Sequence, residues 1–186
     1  MRPPHPSVLG AVYGVSEIVL GLSRRAKSGH RSMDRSSLRV LWAAICAAVA
    51  GSLFVGARCR FASLHSAWLP IAGTALFVLG LVLRWRAIIQ LGRFFTVDVA
   101  ITEQHRLVDT GVYRWVRHPS YSGALLAFIG FGLCLCNWAA LVVLMLPIVA
   151  AFLWRIHVEE QALLNALGQD YREYAAHTKR LIPLVY

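Results

Sequence analysis

The sequence predicts an all-α integral membrane protein with about five transmembrane helices. The chain of 186 residues is 58% hydrophobic and has a mean hydropathy of +0.57, which is well above the usual composition of a soluble domain. Five apolar stretches recur along it, each close to the length that a helix needs to cross a bilayer. Basic residues separate these stretches and give a formal net charge of +10. This pattern favours the membrane surface, and not nucleic acid, as the basic residues' partner.

The first apolar stretch, residues 6–22, is short for a membrane span and contains Glu17. A cleaved signal peptide is the alternative interpretation. Three features argue against a signal peptide: the acidic residue within the stretch, the single basic residue (Arg2) before it, and the lack of a small-x-small cleavage site. We therefore expect a transmembrane helix whose Glu17 faces protein, because a charge that faces lipid is costly.

The second and third spans are predicted from the apolar runs at 40–57 and 67–90. A basic loop at 23–39 precedes the second span. Arg84 and Arg86 lie near the end of the third span, where long basic side chains can extend to the membrane interface.

The fourth and fifth spans are predicted at 120–136 and 138–154, with Asn137 between them. We expect a tight helical hairpin there, with the neighbouring tryptophan in the membrane interface. A polar stretch at 91–119 precedes the hairpin. An amphipathic helix is expected over 155–177, where the chain leaves the membrane.

These segments form a single predicted membrane domain over 1–186. Its first part, 1–90, holds three transmembrane helices, and its second part, 91–186, holds a catalytic loop, the hairpin and a C-terminal helix. Of the 19 Lys and Arg residues, 16 fall on the side of the polar stretch and the C-terminal tail. The positive-inside rule then places that side in the cytoplasm and the N-terminus outside.

A polar pentapeptide, Arg117-His118-Pro119-Ser120-Tyr121, stands between long apolar runs. Pro119 suits the first turn of a helix because its missing N–H would have no partner there. Arg117 and His118 should therefore lie just outside a helix N-terminus, which favours anions. A membrane-surface anchor and an anion or cofactor site both fit the pentapeptide.

A second charged group follows on the predicted C-terminal helix. Arg155 and Glu159 are four residues apart and so share a helix face. The spacing fits either a weak helix salt bridge or a functional pair. Glu160 is equally compatible with a solvated helix face.

No metal site is expected in this sequence. Cys134-Leu135-Cys136 lacks the two-residue gap of a zinc or redox pair, and no HExxH motif, phosphate loop or dinucleotide fingerprint occurs. A thiol within an apolar run is usually a small hydrophobic residue.

Taken in order, the polar motifs of the second half resemble those of the isoprenylcysteine carboxyl methyltransferases. The resemblance covers about half of the chain, from Leu91 onward. Its tail, Arg180-Leu181-Ile182-Pro183, resembles that of bacterial members. The remaining motifs are His105-Arg106-Leu107-Val108, Gly111-Val112-Tyr113, Arg117-His118-Pro119-Ser120-Tyr121, Arg155, Glu159-Glu160, Gly168, Tyr171 and Tyr174.

The resemblance implies an enzyme that binds S-adenosylmethionine in a pocket facing the cytoplasm. Arg155 takes the position of the family's substrate-carboxylate arginine, and Arg117 is the second candidate catalytic residue. Two positions depart from the family pattern: Asp98, where eukaryotic members can carry an amide, and Arg106, where a smaller residue is common. The family's cofactor positions fall on His105, Leu107, Val108, Tyr113, His118, Pro119, Ser120, Tyr121 and Glu159.

The acceptor implied by the resemblance is a lipophilic or prenylated carboxylate that reaches the site among membrane lipids. The bacterial-type tail indicates the bacterial inner membrane. A phospholipid N-methyltransferase and a small-thiol methyltransferase are alternatives, as is a nicotinamide-dependent enzyme similar to the sterol reductases. A different class of explanation is a membrane protein without catalysis that binds lipid or a partner.

Overall fold

The computed structural model describes residues 4–23, 32–92, 99–100 and 107–183. The architecture is all-α, as predicted, with a short antiparallel pairing of two strands that the sequence did not predict. The helices are α1 (Pro6–Ser23), α2 (Arg35–Arg58), α3 (Trp68–Leu91), α4 (Pro119–Cys134), α5 (Trp138–Leu167) and α6 (Gln169–His177). The strands are β1 (Ser32–Asp34) and β2 (Val99–Ala100), and single 3₁₀ turns occupy Arg60–Ala62 and Gly111–Arg114.

Four helices in the described part of the chain are long and apolar enough to cross a membrane, namely α1, α2, α3 and α5. The remaining predicted span, the fourth, corresponds to α4, a shorter apolar helix of 16 residues. The apolar runs therefore located the membrane helices to within about five residues at each end, except at the C-terminal end of α5.

Helix α5 differs from the prediction at its C-terminal end. It runs without a break for 30 residues, so the boundary expected near residue 155 is not an element boundary. The helix ends at Gly168, whose φ of 57° is a conformation that glycine adopts at little cost. The predicted helix over 155–177 is thus the last part of α5 followed by the separate helix α6.

Helices α3 and α4 form the most extensive helix–helix contact in the described structure. Each contributes two glycines seven residues apart, Gly73 and Gly80 on α3 and Gly123 and Gly130 on α4. A Cβ atom built on any of the four would lie within 3 Å of backbone atoms of the facing helix. Small residues let the two backbones approach closely, which is a common basis of helix association in membranes.

Helix α1 joins this pair through polar contacts. Glu17 faces protein, as predicted, and both its carboxylate oxygens accept hydrogen bonds from Arg84, at 2.7 and 2.9 Å. The indole of Trp85 donates to the hydroxyl of Ser16 at 2.8 Å. The prediction that Arg84 extends to the interface is wrong, because its side chain is buried against Glu17. Arg86 is exposed.

The α4–α5 connection is the tight hairpin that the sequence predicted. Asn137 caps α5 by accepting a hydrogen bond from the N–H of Ala140 at 2.9 Å. Its amide also donates to the carbonyl of Cys59 at 2.9 Å. This contact ties the α2–α3 connection to the α4–α5 connection at one end of the bundle, and the polar motifs among the described residues lie at the other end.

Candidate active site

The polar motifs meet where α2 and α4 begin and α3 ends, beside the last turns of α5. Two long-range hydrogen bonds define this region. Arg155 of α5 donates to the hydroxyl of Ser37 at the start of α2, at 2.8 Å. Arg84 of α3 donates to the carbonyl of Ser120 in the first turn of α4, at 3.2 Å. Four helices therefore fix the geometry of one site.

The start of α4 has the geometry that its proline predicts. Pro119 is the first helical residue, and His118 lies just outside the helix with φ −122° and ψ 56°. His118 is buried, with 5% of the residue exposed. Its ring stacks on that of Tyr121, with centroids 5.5 Å apart and planes 14° from parallel. The stacking holds the imidazole at the helix N-terminus, where the local dipole favours an anion.

The hydroxyl of Tyr121 lies between Arg155 and Glu159. It donates to Oε2 of Glu159 at 2.7 Å and accepts a hydrogen bond from Nε of Arg155 at 3.2 Å. The two charged residues that share a face of α5 are thus linked through a residue of α4. Arg155 is 3% exposed, whereas the side chain of Glu159 is 30% exposed.

Glu160 lies at the centre of a second ion cluster, which adjoins the first through His118, whose Nδ1 lies 3.9 Å from Oε2 of Glu159. One carboxylate oxygen accepts from Nε of Arg117 at 3.0 Å and lies 3.4 Å from Nε2 of His118. The other oxygen pairs with the guanidinium of Arg180 at 2.9 and 3.0 Å. A buried carboxylate needs partners of this kind to offset the loss of hydration.

The C-terminal segment is attached to the pentapeptide along its backbone. The N–H groups of Arg117 and His118 donate to the carbonyls of Lys179 and Arg180, at 2.7 and 3.0 Å. The guanidinium of Arg117 also donates to the carbonyl of Ala175 at 2.8 Å. These bonds join the tail to the region just before α4, so the tail forms part of the site's frame.

Tyr113 supports the same frame from the 3₁₀ turn. It is buried, and its hydroxyl donates to the carbonyl of Ala87 at 3.3 Å. Its own carbonyl accepts a hydrogen bond from the hydroxyl of Tyr174 at 2.7 Å. Burial raises the pKa of Tyr174 to about 12. The Tyr174 phenol therefore remains a hydrogen-bond donor at neutral pH.

The structure brings together Arg117, His118, Tyr121, Arg155 and Glu159 from the set that the sequence singled out. The other members occupy different places. Pro119 and Ser120 are buried in the first turn of α4, Tyr113 lies in the adjoining turn, and Leu107 and Val108 are half-buried residues that precede it. His105, Asp98 and Arg106 lie outside the described residues.

Four charged or polar residues with contacts in the site were missing from the predicted set: Glu160, Arg180, Arg84 and Ser37. The sequence offered a signal for Glu160, since it adjoins Glu159 at the end of a membrane helix. It offered no local signal for Arg84 or Ser37, because each reaches the site across a large sequence separation.

One buried polar atom near the ion cluster has no protein partner. Among the described residues, the hydroxyl of Tyr171 is the buried side-chain oxygen or nitrogen that makes no hydrogen bond. Tyr171 is 2% exposed and lies on α6. Burial raises the pKa of its phenol, and the charge of Glu160 adds to that rise. Such an unsatisfied group in a native fold calls for a ligand, a water molecule or a local rearrangement.

A family model matches this site and the helices that build it. The model describes the isoprenylcysteine carboxyl methyltransferase (ICMT) family, and the match covers residues 73–165. This range is half of the chain and includes the pentapeptide and the charged pair of α5.

The chain belongs to the isoprenylcysteine carboxyl methyltransferase family. The match contains most of α3, all of α4 and most of α5. The family resemblance of the polar motifs is thereby confirmed. Helices α1, α2 and α6 lie outside the matched range.

Relatives and a solved structure agree with this assignment. The chain is 38% identical over 120 residues to protein-S-isoprenylcysteine O-methyltransferase B of Arabidopsis thaliana, covering 63% of this chain and 61% of the relative. It is 34% identical over 128 residues to a probable protein-S-isoprenylcysteine O-methyltransferase of Oryza sativa subsp. indica, covering 67% of each chain. The corresponding Xenopus laevis protein is 36% identical over 120 residues, which are 63% of this chain and 42% of that protein.

The fold is also similar to that of a eukaryotic intramembrane Ras methyltransferase, an isoprenylcysteine carboxyl methyltransferase. The TM-score is 0.55 at 29% sequence identity, over 82% of this chain and 55% of that structure. The chain thus spans about two fifths to two thirds of the length of these relatives.

Proposed function

We propose that this protein is an S-adenosylmethionine-dependent methyltransferase that methylates the carboxylate of a prenylcysteine-like or other lipophilic acceptor. The observation that carries the proposal is the Tyr121 hydroxyl, which joins Arg155 to Glu159. Family resemblance assigns Arg155 to the acceptor carboxylate and Glu159 to the methyl donor. One hydroxyl group therefore holds the two groups that a transfer reaction needs side by side.

The residues present fit this methyl donor. It is a zwitterion at its amino-acid end, and the site offers a carboxylate, an imidazole and a helix N-terminus within one small region. Glu159 is partly exposed and so accessible to a cationic or hydroxyl group. The unsatisfied hydroxyl of Tyr171 adds a further polar contact beside the Glu160 cluster. When bound, the donor supplies an electrophilic methyl group on a positively charged sulfur.

Arg155 would then hold the acceptor carboxylate next to that methyl group. In that arrangement an oxygen of the acceptor carboxylate would take the methyl group, and the donor's sulfur would keep the electron pair of the bond that breaks. A carboxylate is already ionised at neutral pH, so the reaction needs no general base. The buried position of Arg155 limits water, which favours a step that neutralises two opposite charges.

Arg117 fits a positioning role better than direct contact with the acceptor. Its guanidinium is engaged with Glu160 and with the carbonyl groups of Ala175 and Thr178. Through these bonds it holds the tail against the start of α4. We propose that Arg117 orients His118 and does not touch the acceptor.

The proposed membrane orientation follows from charge. The site lies at the same end of the bundle as the tail and the start of α2, which is the strongly basic side of the sequence. The positive-inside rule assigns this side to the cytoplasm. The resemblance of the tail to that of bacterial members supports the bacterial inner membrane as the location.

Two measurements test the proposal. Calorimetry on the detergent-purified chain should show binding of S-adenosylmethionine and no binding of NADPH. With methyl-labelled donor, a prenylcysteine analogue should gain label that alkali releases, because methyl esters hydrolyse and methylated amines and thioethers do not. A matched analogue with a carboxamide in place of the carboxylate should gain none. Alkali-stable label on phospholipid or a small thiol, or no donor binding, would contradict the proposal.

A further inference from the structure

The first turn of α2 contacts the residue that we assign to the acceptor. Ser37 is 2% exposed, and its hydroxyl oxygen lies 2.8 Å from Nη1 of Arg155. The two residues are 118 positions apart. Helix α2 packs extensively on α5, and this packing brings them together. A buried polar contact between two such elements fixes both side chains.

Arg155 is therefore held from two directions. Its Nε donates to the hydroxyl of Tyr121 on α4, and its Nη1 donates to the hydroxyl of Ser37 on α2. The guanidinium group is planar, so two hydrogen bonds from different nitrogens set the orientation of its plane. Recognition of a carboxylate by arginine depends on that plane, because the contact is two-pronged.

We infer that Ser37 is a positioning residue for the acceptor, which acts through Arg155. The inference rests on the proposed function. It makes the N-terminal turn of α2 part of the acceptor side of the site, although α2 lies outside the range that the family model matches. The donor side, formed by His118, Tyr121 and Glu159, is supplied by α4 and α5.

The competing explanation is that Ser37 is a buried serine of purely structural importance. The same helix offers a matched control for this explanation. Ser52 is 0% exposed, and its hydroxyl donates to the carbonyl of Val49 within α2 at 2.9 Å. Substituting alanine at either position removes one buried hydroxyl from one helix, but only Ser37 contacts the site.

The experiment compares Ser37→Ala, Ser37→Thr and Ser52→Ala in the full chain reconstituted in lipid. Three quantities are measured: the unfolding temperature, the Kd for S-adenosylmethionine, and single-turnover methyl transfer to a prenylcysteine analogue. We expect Ser37→Ala to lower transfer about tenfold and to raise the acceptor concentration for half-maximal rate. Donor affinity should stay within about twofold of the wild type. Ser37→Thr, which keeps the hydroxyl, and Ser52→Ala should both transfer nearly as fast as the wild type.

A double-mutant cycle separates positioning from a general loss of structure. Ser37→Ala should have no further effect on transfer in an Arg155→Ala background, because the residue through which it acts is already gone. Three results would each overturn the inference. The first is an equal transfer rate in Ser37→Ala and Ser52→Ala, and the second is a further loss of transfer when Ser37→Ala is added to Arg155→Ala. The third is a loss of donor affinity in Ser37→Ala that parallels its loss of transfer. If the wild-type chain transfers no methyl group, the proposed function fails as well. The two failures are therefore distinguishable.

Discussion

Glu159 and Glu160 are neighbours in α5, yet their carboxylates lie in different surroundings. Glu159 is partly exposed and accepts a hydrogen bond from Tyr121. Glu160 is buried among Arg117, His118 and Arg180. These surroundings support the proposal that Glu159 contacts the methyl donor and that Glu160 belongs to the frame that holds the tail against the start of α4.

Substitution of Glu160 should reveal this structural role. Glu160→Gln leaves the two arginines facing a neutral group, and breaking a buried ion pair of this kind costs roughly 3 kcal/mol. Glu159→Gln should cost far less, because its side chain is about one-third exposed. Thermal unfolding of both variants without ligand is the measurement. Equal losses of stability would contradict the assignment.

Tyr171 and Tyr174 provide a second pair of matched substitutions, both on α6. The Tyr174 hydroxyl donates to the carbonyl of Tyr113, so Tyr174→Phe should lower the free energy of unfolding by about 1 kcal/mol. The Tyr171 hydroxyl makes no hydrogen bond to protein, so Tyr171→Phe should change stability by less than about 0.5 kcal/mol. Denaturation of the ligand-free variants compares the two. A larger loss for Tyr171→Phe would show that its hydroxyl has a partner.

Local sequence rules predicted part of the site at this scale. The proline rule placed His118 just outside the start of α4, and helical spacing placed Arg155 and Glu159 on one face. Neither rule describes tertiary contact. The hydrogen bond from Arg155 to Ser37 and the ion pair between Arg84 and Glu17 each join different helices, so no local pattern contained them.

At the scale of elements, the close approach of α3 and α4 determines where the pentapeptide lies. The four glycines at the contact are spaced by seven residues in each helix, so they fall on one side of each. The predicted fold did not rest on this repeat, although small residues at such spacing are typical of closely packed membrane helices. With the two backbones in contact, Arg84 of α3 reaches the carbonyl of Ser120 at the start of α4.

Gly80→Ala should disturb this contact. The added methyl group would lie within 3 Å of backbone atoms of Gly123 and Ala127, and such overpacking costs about 1–3 kcal/mol. Gly14→Ala in α1 is the matched control, because no atom lies within 4 Å of the added group apart from its chain neighbours and the nearby backbone of its own helix. It should be neutral or stabilise its helix by up to about 1 kcal/mol. Unfolding temperatures in one detergent provide the comparison, and equal effects would contradict the packing described for α3 and α4.

At the scale of the whole molecule, the polar motifs of the proposed site that fall in the described part of the chain lie at one end of the helical bundle. The hydropathy of the sequence predicted the helices, and the distribution of basic residues predicted that the motifs share a side. Hydropathy did not predict the continuity of α5 beyond residue 155, because it distinguishes apolar from polar segments and does not locate helix ends.

Single-cysteine labelling tests the orientation of the bundle, in a chain whose native cysteines are replaced. Cysteines at Ser36 and Ala176, on the site's side, should resist a membrane-impermeant reagent in intact cells and react once the membrane is opened. A cysteine at Ser66, at the opposite end, should react in intact cells and serves as the control. Labelling at Ser36 or Ala176 in intact cells would contradict the proposed orientation, because it would show that the site faces away from the cytoplasm.

The central claim is that the two linked residues of α5 have different roles. Glu159 binds the methyl donor, and Arg155 binds the acceptor carboxylate. The direct test measures S-adenosylmethionine affinity and single-turnover methyl transfer in Glu159→Gln, Arg155→Ala and Arg155→Lys. Glu159→Gln should raise the Kd for the donor. Arg155→Ala should leave that Kd nearly unchanged and lower transfer about ten- to a hundredfold.

Arg155→Lys should recover only part of the transfer rate, because an ammonium group cannot form the two-pronged contact with a carboxylate. Equal small effects of all three substitutions on both quantities would contradict the claim and reduce the pair to a helix salt bridge.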